Sequence, residues 1–253
     1  MQDEFILFIK KIHKITLNQH LGQTKPYRYP SWTKEQIEKE HIEKLNLSKV
    51  IWLKKGLWED EVGVRLPGGY YPMGTEGHID EFCRFVNDST IMLTEVTIDE
   101  RDRDSIHAEN YRRLEENHAI LINATSYNSK PFHIIRVPVA DHYTYEVKYE
   151  DMQPWMGFYF PGVKAGEFAK GIATSSYLNF IIANEVVITA KYWKDGRNES
   201  KKVKDEKVLE IFSRAFPGKK VVQIDMEGYN NGGGGMHCAT FNEHVGQKKV
   251  MKK

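Results

Sequence analysis

A cysteine and a histidine closely follow a run of glycines near the end of this 253-residue chain. Asn231 precedes four glycines at positions 232–235, and His237 and Cys238 come shortly after them. Glycine has no Cβ, so it permits conformations and close approaches that other residues forbid. A thiol presented by such a loop at the start of a short apolar strand is a candidate nucleophile. The alternative for an isolated cysteine is an inert side chain beside a flexible turn.

A second glycine-flanked stretch, residues 74–86, contains an imidazole and a carboxylate in a similar setting. His78 and Asp80 are two positions apart on a predicted strand, so both would face the same side of it. An imidazole has a near-neutral pKa and can exchange protons in both directions. This second stretch favours a functional role for Cys238 over a structural one.

A repeated pattern of strand, strand, helix and strand would position these stretches. In the first copy, residues 33–36 have the spacing of a helix capping box, and the helix leads into a buried strand at residues 49–53. The closing strands begin near positions 50, 133 and 220, a period of roughly 85 residues that favours a radial or stacked repeat. A fourth copy is predicted to begin at Gly235.

The second and third copies are predicted from apolar runs and from helical spacing. Their strands are expected at residues 79–86, 90–96 and 132–137, and at residues 177–182, 185–190 and 220–224. The helix of the second copy carries Tyr111, Leu114, His118 and Leu121, and that of the third carries Val208, Ile211, Phe212 and Ala215.

The repeat also predicts where a pocket would form. His78 with Asp80, Asn179, and His237 with Cys238 fall at the start of the first strand of successive copies. If these strands are innermost around an axis, the three polar clusters meet at its centre. Two long connections, residues 56–77 and 138–172, are predicted to be loops that cover the pocket. Residues 194–204 are predicted to be an exposed hairpin tip or turn.

Composition excludes several classes of partner. The chain has 36 Lys and Arg against 35 Asp and Glu, so the long-range field expected for binding nucleic acid or an anionic membrane is absent. Its two cysteines are too few for a disulfide framework and favour a reducing compartment. The apolar run near the N-terminus is too short to span a bilayer and is not a signal peptide. We therefore expect a cytoplasmic protein with one domain over residues 1–253.

Three segments of the chain together resemble the agmatine deiminase and bacterial-type peptidylarginine deiminase family of the guanidino-group-modifying (pentein) superfamily. They are Gly77-His-Ile-Asp80, Tyr177-Leu-Asn-Phe180 and the four glycines followed by Met-His-Cys238. The similarity runs from about residue 15 to residue 245. It implies an α/β propeller of strand-strand-helix-strand units, with about three and a half of the usual five units in this chain.

The sequence departs from the family pattern in one respect. Family members carry an N-terminal Trp-x-Arg-Asp motif whose acid helps to hold the guanidinium, and this sequence has no such motif. It resembles roughly the C-terminal two-thirds of the family. Glu76, Glu81 and Glu95 are the candidates for a substitute carboxylate, while Arg84 and Cys83 are expected to be structural.

The resemblance implies hydrolysis of a guanidinium to a ureido group with release of ammonia, on agmatine or on arginine in peptides. Cys238 would attack to give a thiouronium intermediate, and His78 would protonate the departing ammonia and then activate water. Asp80 would accept two N–H bonds from the guanidinium. The remaining residues expected to line the substrate site are Asn179, Gly234 and Gly235.

Other functions stay open on the sequence alone. Cys238, His78 and either Asn179 or Asp80 could form the triad of another cysteine amidohydrolase, because triads are recognised by geometry. A weakly active or non-catalytic relative could bind a guanidino ligand or a partner, and an exposed strand edge would favour a homo-oligomer. His78, Asp80, His237 and Cys238 lack the paired-ligand spacing of metal sites, so no metal or other cofactor is expected.

Overall fold

The computed structural model describes residues 5–10, 19–20 and 31–241. The strands in these ranges are β1 (Phe5–Lys10), β2 (Gln19–His20), β3 (Leu47–Leu53), β4 (Tyr70–Met73), β5 (Cys83–Asn87), β6 (Thr90–Glu95), β7 (His133–Pro138), β8 (Tyr143–Lys148), β9 (Phe168–Ala173), β10 (Ile181–Ile182), β11 (Val186–Lys191) and β12 (Lys220–Asp225). The helices are α1 (Lys34–Leu45), α2 (Ile98–Arg101), α3 (Ser105–Ile122), α4 (Glu199–Ala215) and α5 (Glu227–Asn230). The fold is therefore of the mixed α/β class.

The strands of the described residues form four separate three-stranded sheets. Their strand orders are β2-β1-β3, β4-β9-β8, β5-β6-β7 and β10-β11-β12. The closure of such sheets into a propeller, the number of its units and the single domain over residues 1–253 stay predictions.

The predicted strand-strand-helix-strand unit is confirmed in two of these sheets. In one, β5 and β6 are antiparallel, α3 crosses over, and β7 returns parallel to β6. In the other, β10, β11, α4 and β12 repeat the same pairing. A parallel return needs a crossover connection, which the helix supplies. The closing strands β3, β7 and β12 begin at residues 47, 133 and 220, close to the predicted positions.

The helices begin where capping side chains satisfy their first backbone N–H groups. Thr33 and Gln36 form the predicted capping box of α1. The Asn198 side chain accepts a hydrogen bond from the Ser200 N–H and caps α4. The prediction of an exposed hairpin tip or turn at residues 194–204 holds only for its first part, where residues 195–197 form an exposed turn. It was wrong for residues 199–204, which are the first turns of a helix. Val208 and Phe212 of that helix are buried against its sheet.

Two segments predicted to be loops contain strands. Within residues 138–172, β8 pairs antiparallel with β9, and burial alternates along β8 because one of its faces packs on the core. Within residues 56–77, β4 pairs in parallel with β9. The two segments are rich in glycine, proline and aromatic residues, so the alternation of apolar residues in β8, at Tyr143, Tyr145 and Val147, was not recognised as a strand pattern.

Two predicted strands are shorter than expected, and both changes occur at the predicted pocket. Residues 79–86 begin with a 3₁₀ turn, Ile79–Glu81, and only then continue as β5. Of residues 177–182, only the last two form a strand. The carbonyls of Leu178 and Phe180 accept hydrogen bonds from the Arg84 guanidinium, so they are not used in a sheet ladder.

The apolar core lies in two main clusters, one for each unit. The first lies between α3 and the sheet β5-β6-β7 and includes Leu93 and Leu114. The second lies between α4 and the sheet β10-β11-β12 and includes Phe180 and Phe212. Within the ranges that the structure describes, no helix has the length and apolar character needed to cross a membrane.

Candidate active site

Asp60 fixes the turn that carries His78 and Asp80. The backbone N–H groups of Thr75 and His78 donate to its carboxylate at 2.6 and 2.7 Å, and the Thr174 hydroxyl lies 3.3 Å from it. Burial raises the pKa of Asp60 to about 7, and the hydrogen bonds from Thr75 and His78 oppose that rise. The backbone around His78 is therefore held by one buried acid.

The glycine loop brings Cys238 close to this turn. Gly234 has φ +70°, and a Cβ on it would lie 3.1 Å from the Cys238 sulfur. At Gly235, a Cβ would lie 2.6 Å from Asn179 Oδ1, which is closer than real Cβ atoms come. These two positions need glycine because the loop passes directly against the thiol and against Asn179.

Five side chains from three segments of the chain meet at the sulfur, and we call them the thiol cluster. Cys238 Sγ lies 3.1 Å from Asn179 Nδ2, 3.5 Å from Asp80 Oδ2, 3.8 Å from His78 Nδ1 and 3.8 Å from Glu81 Oε1. The structure thus brings together the residues that the sequence placed in one pocket. Cys238 itself lies in a turn and not at the start of a strand, which corrects that detail of the prediction.

Asn179 connects the members of the thiol cluster. Its Nδ2 donates to Glu81 at 2.7 Å and to Asp80 at 3.2 Å, besides contacting the sulfur. Its Oδ1 accepts from the His237 backbone N–H at 2.7 Å. One amide side chain therefore links the β5 turn, the segment before β10 and the glycine loop.

His237 supports the carboxylate and not the sulfur. Its Nδ1 lies 2.6 Å from Asp80 Oδ2. Burial alone would raise the pKa of Asp80, but the His237 hydrogen bond and the charges of His78, His237 and Arg84 outweigh it and lower that pKa. Asp80 is therefore held as a carboxylate.

The acids around the sulfur oppose its ionisation. Burial raises the pKa of the Cys238 thiol, and the charges of Asp80 and Glu81 raise it further. Burial together with the charges of Asp80 and Asp60 also raises the pKa of Glu81. The buried Arg84 guanidinium carries positive charge nearby, although burial lowers its pKa to about 10. A cation entering beside the sulfur would relieve this excess of negative charge.

The model of the Porphyromonas-type peptidyl-arginine deiminase family matches residues 15–243. The chain belongs to this family. Agmatine deiminase of Medicago truncatula is 29% identical over 216 residues, which are 84% of this chain and 49% of that protein. The chain spans about half the length of the curated relatives that it matches.

Solved structures of two agmatine deiminases have a similar fold. Agmatine deiminase of Enterococcus faecalis is 24% identical with a TM-score of 0.57, and the match covers 83% of this chain and 48% of that one. Agmatine deiminase of C. jejuni is 19% identical with a TM-score of 0.55, covering 86% and 49%.

The three glutamates that the sequence offered as further carboxylates for the guanidinium have different surroundings. Glu81 is fully buried and belongs to the thiol cluster. Glu95 lies 4.0 Å from Arg136 and lines a separate surface cleft. Glu76 is half-buried at a positive φ of 67° in the turn before His78. Glu81 is therefore the candidate that the structure favours.

Asp60 supports the site and was not predicted from the sequence, and the prediction about metal binding also needs comparison with the structure. Asp60 was predicted to lie in a covering loop, and its signal in the sequence is a run of three adjacent acids, residues 59–61, directly after Leu57 and Trp58. One ligand atom each from His78, Asp80 and Cys238 lies within 4.8 Å of the others, a separation that an ion could bridge. The expectation that no metal binds there stays a prediction.

Proposed function

We propose that this chain carries the catalytic centre of a deiminase that hydrolyses a guanidinium group to a ureido group and ammonia. The observation that supports it is the thiol cluster, in which a sulfur faces an imidazole nitrogen and two carboxyl groups at 3.5 to 3.8 Å. Relatives named agmatine deiminase suggest agmatine as substrate, giving N-carbamoylputrescine. The family description suggests peptidyl arginine, giving citrulline, as the second candidate.

The charges of the cluster favour a cationic substrate over a neutral amide. Burial raises the pKa of Cys238, and the negative charges of Asp80 and Glu81 raise it further. A guanidinium bound between these acids and the sulfur would stabilise the thiolate, because an opposite charge within about 4–6 Å favours the ionised form. Substrate binding would then create the nucleophile, and a neutral amide would not.

Two carboxyl groups are available to hold the guanidinium. Asp80 would accept two of its N–H groups. Glu81 would be the second carboxyl group, and its buried Oε2 atom has no hydrogen-bond partner among the described residues. Each charge-assisted hydrogen bond of this kind contributes about 1.5–3 kcal/mol.

The chemical step would run through Cys238 and His78. The thiol proton passes to His78, and the thiolate forms a bond to the guanidinium carbon. His78 then protonates one NH₂ group, whose C–N bond breaks to release ammonia and leave a thiouronium. Water then adds to the thiouronium carbon, and a proton of that water passes to His78. The C–S bond breaks, the ureido product loses its extra proton to the released ammonia, and His78 reprotonates the thiolate.

Asn179, Gly234 and Gly235 would shape the pocket around the reacting carbon. Asn179 donates to the sulfur and to both acids, so it fixes their separation. The two glycines allow the loop to pass this close to the thiol and to Asn179. Positioning of this kind converts a bimolecular reaction into an effectively unimolecular one.

Ammonia release tests this proposal. The purified chain would be incubated with agmatine, with an arginine-containing peptide and with a neutral amide of similar length. We expect ammonia from at least one guanidinium substrate, none from the neutral amide, and none from the Cys238→Ser variant. Release from the neutral amide would instead support another cysteine amidohydrolase. Binding of agmatine without ammonia would support a non-catalytic relative.

A further inference from the structure

A second cluster of titratable side chains shares no residue with the thiol cluster. It is formed by Asp104 and His107 at the start of α3, His142 between β7 and β8, and Glu59 on the 3₁₀ turn Trp58–Asp60. We call these four residues the histidine cluster. The proposed deiminase reaction uses none of them.

The two imidazole rings of the histidine cluster each bury a nitrogen that is left unsatisfied. The His107 side chain is 6% exposed and that of His142 is 14% exposed. The Nε2 atoms of both are shielded from solvent and have no hydrogen-bond partner among the described residues. Leaving a buried polar atom unpaired is costly. Two such atoms on neighbouring rings therefore indicate a missing partner for both.

Asp104 fixes the chemical state of one of these nitrogens. Its Oδ2 lies 2.8 Å from His107 Nδ1, and its Oδ1 accepts the Ile106 and His107 backbone N–H groups as the cap of α3. With Nδ1–H donating to the carboxylate, Nε2 of the neutral ring is an unprotonated lone pair. This carboxylate–histidine arrangement is the usual support of a metal-binding imidazole.

The rings and acids are also close enough to share one ion. The ring centroids of His107 and His142 are 4.3 Å apart, and one ligand atom each from Asp104, His107 and His142 lies within 4.8 Å of the others. Glu59, 1% exposed, places Oε1 at 3.8 Å from His142 Nε2. The ring planes are inclined by only 33°. The Nε2 lone pairs lie in these planes, so one ring must turn before both Nε2 atoms can bind one ion.

We propose that the histidine cluster binds a divalent transition-metal ion of the zinc class. His107 Nε2 and His142 Nε2 would be the nitrogen ligands, Asp104 would orient His107, and Glu59 would supply negative charge beside the ion. Imidazole nitrogens suit Zn²⁺ and Co²⁺, with bonds of about 2.0–2.1 Å. His142 is the ring expected to turn, because it lies in a connection between strands and not in a helix.

Titration with Zn²⁺ and Co²⁺ against a chromophoric chelator tests this site. All variants would carry Cys238→Ser, because the thiol cluster contains a competing zinc ligand. We expect one ion per chain in the Cys238→Ser parent and affinity at least about tenfold weaker after His142→Asn. His133→Asn, which removes an exposed histidine at the start of β7, is the matched control and should leave the affinity unchanged.

Thermal unfolding gives a second readout that does not depend on the chelator. At a Zn²⁺ concentration of about one hundred times the dissociation constant, the parent should melt roughly 5 °C or more higher than without zinc. At the same Zn²⁺ concentration the His142→Asn variant, whose affinity is at least about tenfold weaker, should show a clearly smaller rise in melting temperature than the parent. If the parent binds no ion, or if His142→Asn binds it as tightly as the parent does, the proposal is overturned.

Discussion

Cys238 lies in surroundings that favour the protonated form of its thiol. Asp80 is held as a carboxylate by His237, and its Oδ2 is 3.5 Å from the sulfur. The raised pKa of Cys238 means that little thiolate is present at neutral pH, so its reaction with a neutral reagent should accelerate as the pH rises. A guanidinium bound beside the sulfur would lower the pKa of Cys238.

Replacing Asp80 should therefore have opposite effects on two reactions of the same sulfur. Asp80→Asn removes a negative charge beside the thiol and lowers the pKa of Cys238. Alkylation of Cys238 by neutral iodoacetamide at pH 8 should become faster by about tenfold or more. Hydrolysis of agmatine should fall, because the anchor for the guanidinium is lost. Alkylation would be followed by mass spectrometry of the peptide that contains Cys238.

The matched control for this prediction is Asp99→Asn, which removes an exposed acid on α2. It should leave both the alkylation rate and agmatine hydrolysis unchanged. Slower or unchanged alkylation in Asp80→Asn would show that the Asp80 charge does not act on the sulfur.

At the scale of elements, the glycine loop and the segment before β10 fit against each other. Gly235 approaches Asn179 so closely that a methyl group would meet its Oδ1 at 2.6 Å. Asn179 in turn is hydrogen-bonded to the His237 backbone N–H and to both acids. A substitution in the glycine loop should therefore displace Asn179 and, through its hydrogen bonds, Asp80 and Glu81.

Gly235→Ala tests this coupling between the elements. The added methyl group should displace Asn179, lower the free energy of unfolding by about 1–3 kcal/mol and reduce kcat for agmatine by up to about a hundredfold. Gly232→Ala is the matched control in the same loop, where a Cβ would meet only an ordinary contact at 3.5 Å. Chemical denaturation and steady-state kinetics measure both effects. Equal effects of the two substitutions would contradict the assigned contact.

The sequence predicted the elements whose apolar pattern is set by one buried face. The period of α3 and α4 and the runs of β6 and β11 were visible, because their side chains pack on a single core. The sheet β4-β9-β8 was missed, because its strands lie between turns rich in glycine and proline. The pairing of β4 with β9 also joins residues about a hundred positions apart, such as Tyr70 and Lys170.

The candidate site was predictable to a similar extent. Cys238, His78, Asp80 and Asn179 stood out because reactive residue types occurred beside glycines and at matching places in the repeat. Asp60 could not be found in this way, since its importance comes from accepting hydrogen bonds from Thr75, His78 and Thr174 in three dimensions. Sequence spacing indicates candidates for chemistry, whereas the buried groups that hold them depend on packing.

At the scale of the whole molecule, the position of the thiol cluster depends on two sheets. The sheet β5-β6-β7 follows the turn that carries His78 and Asp80, while the sheet β10-β11-β12 follows the segment that carries Asn179. Arg84 on β5 donates to the Phe180 carbonyl and stacks 4.3 Å from the Phe180 ring, so it joins the two units directly behind the cluster. The geometry of the site thus depends on how these two units dock.

The most direct measurement of the central claim is the intact mass of the chain after acid quenching during reaction with agmatine. The account predicts a fraction of the protein heavier by the mass of agmatine less ammonia, located on Cys238 by peptide mapping. Cys238→Ser should show neither this adduct nor ammonia release, and the buried Cys83 should stay unmodified in the wild-type chain. Ammonia release by Cys238→Ser at the wild-type rate, or an adduct mapped to another residue, would contradict the account.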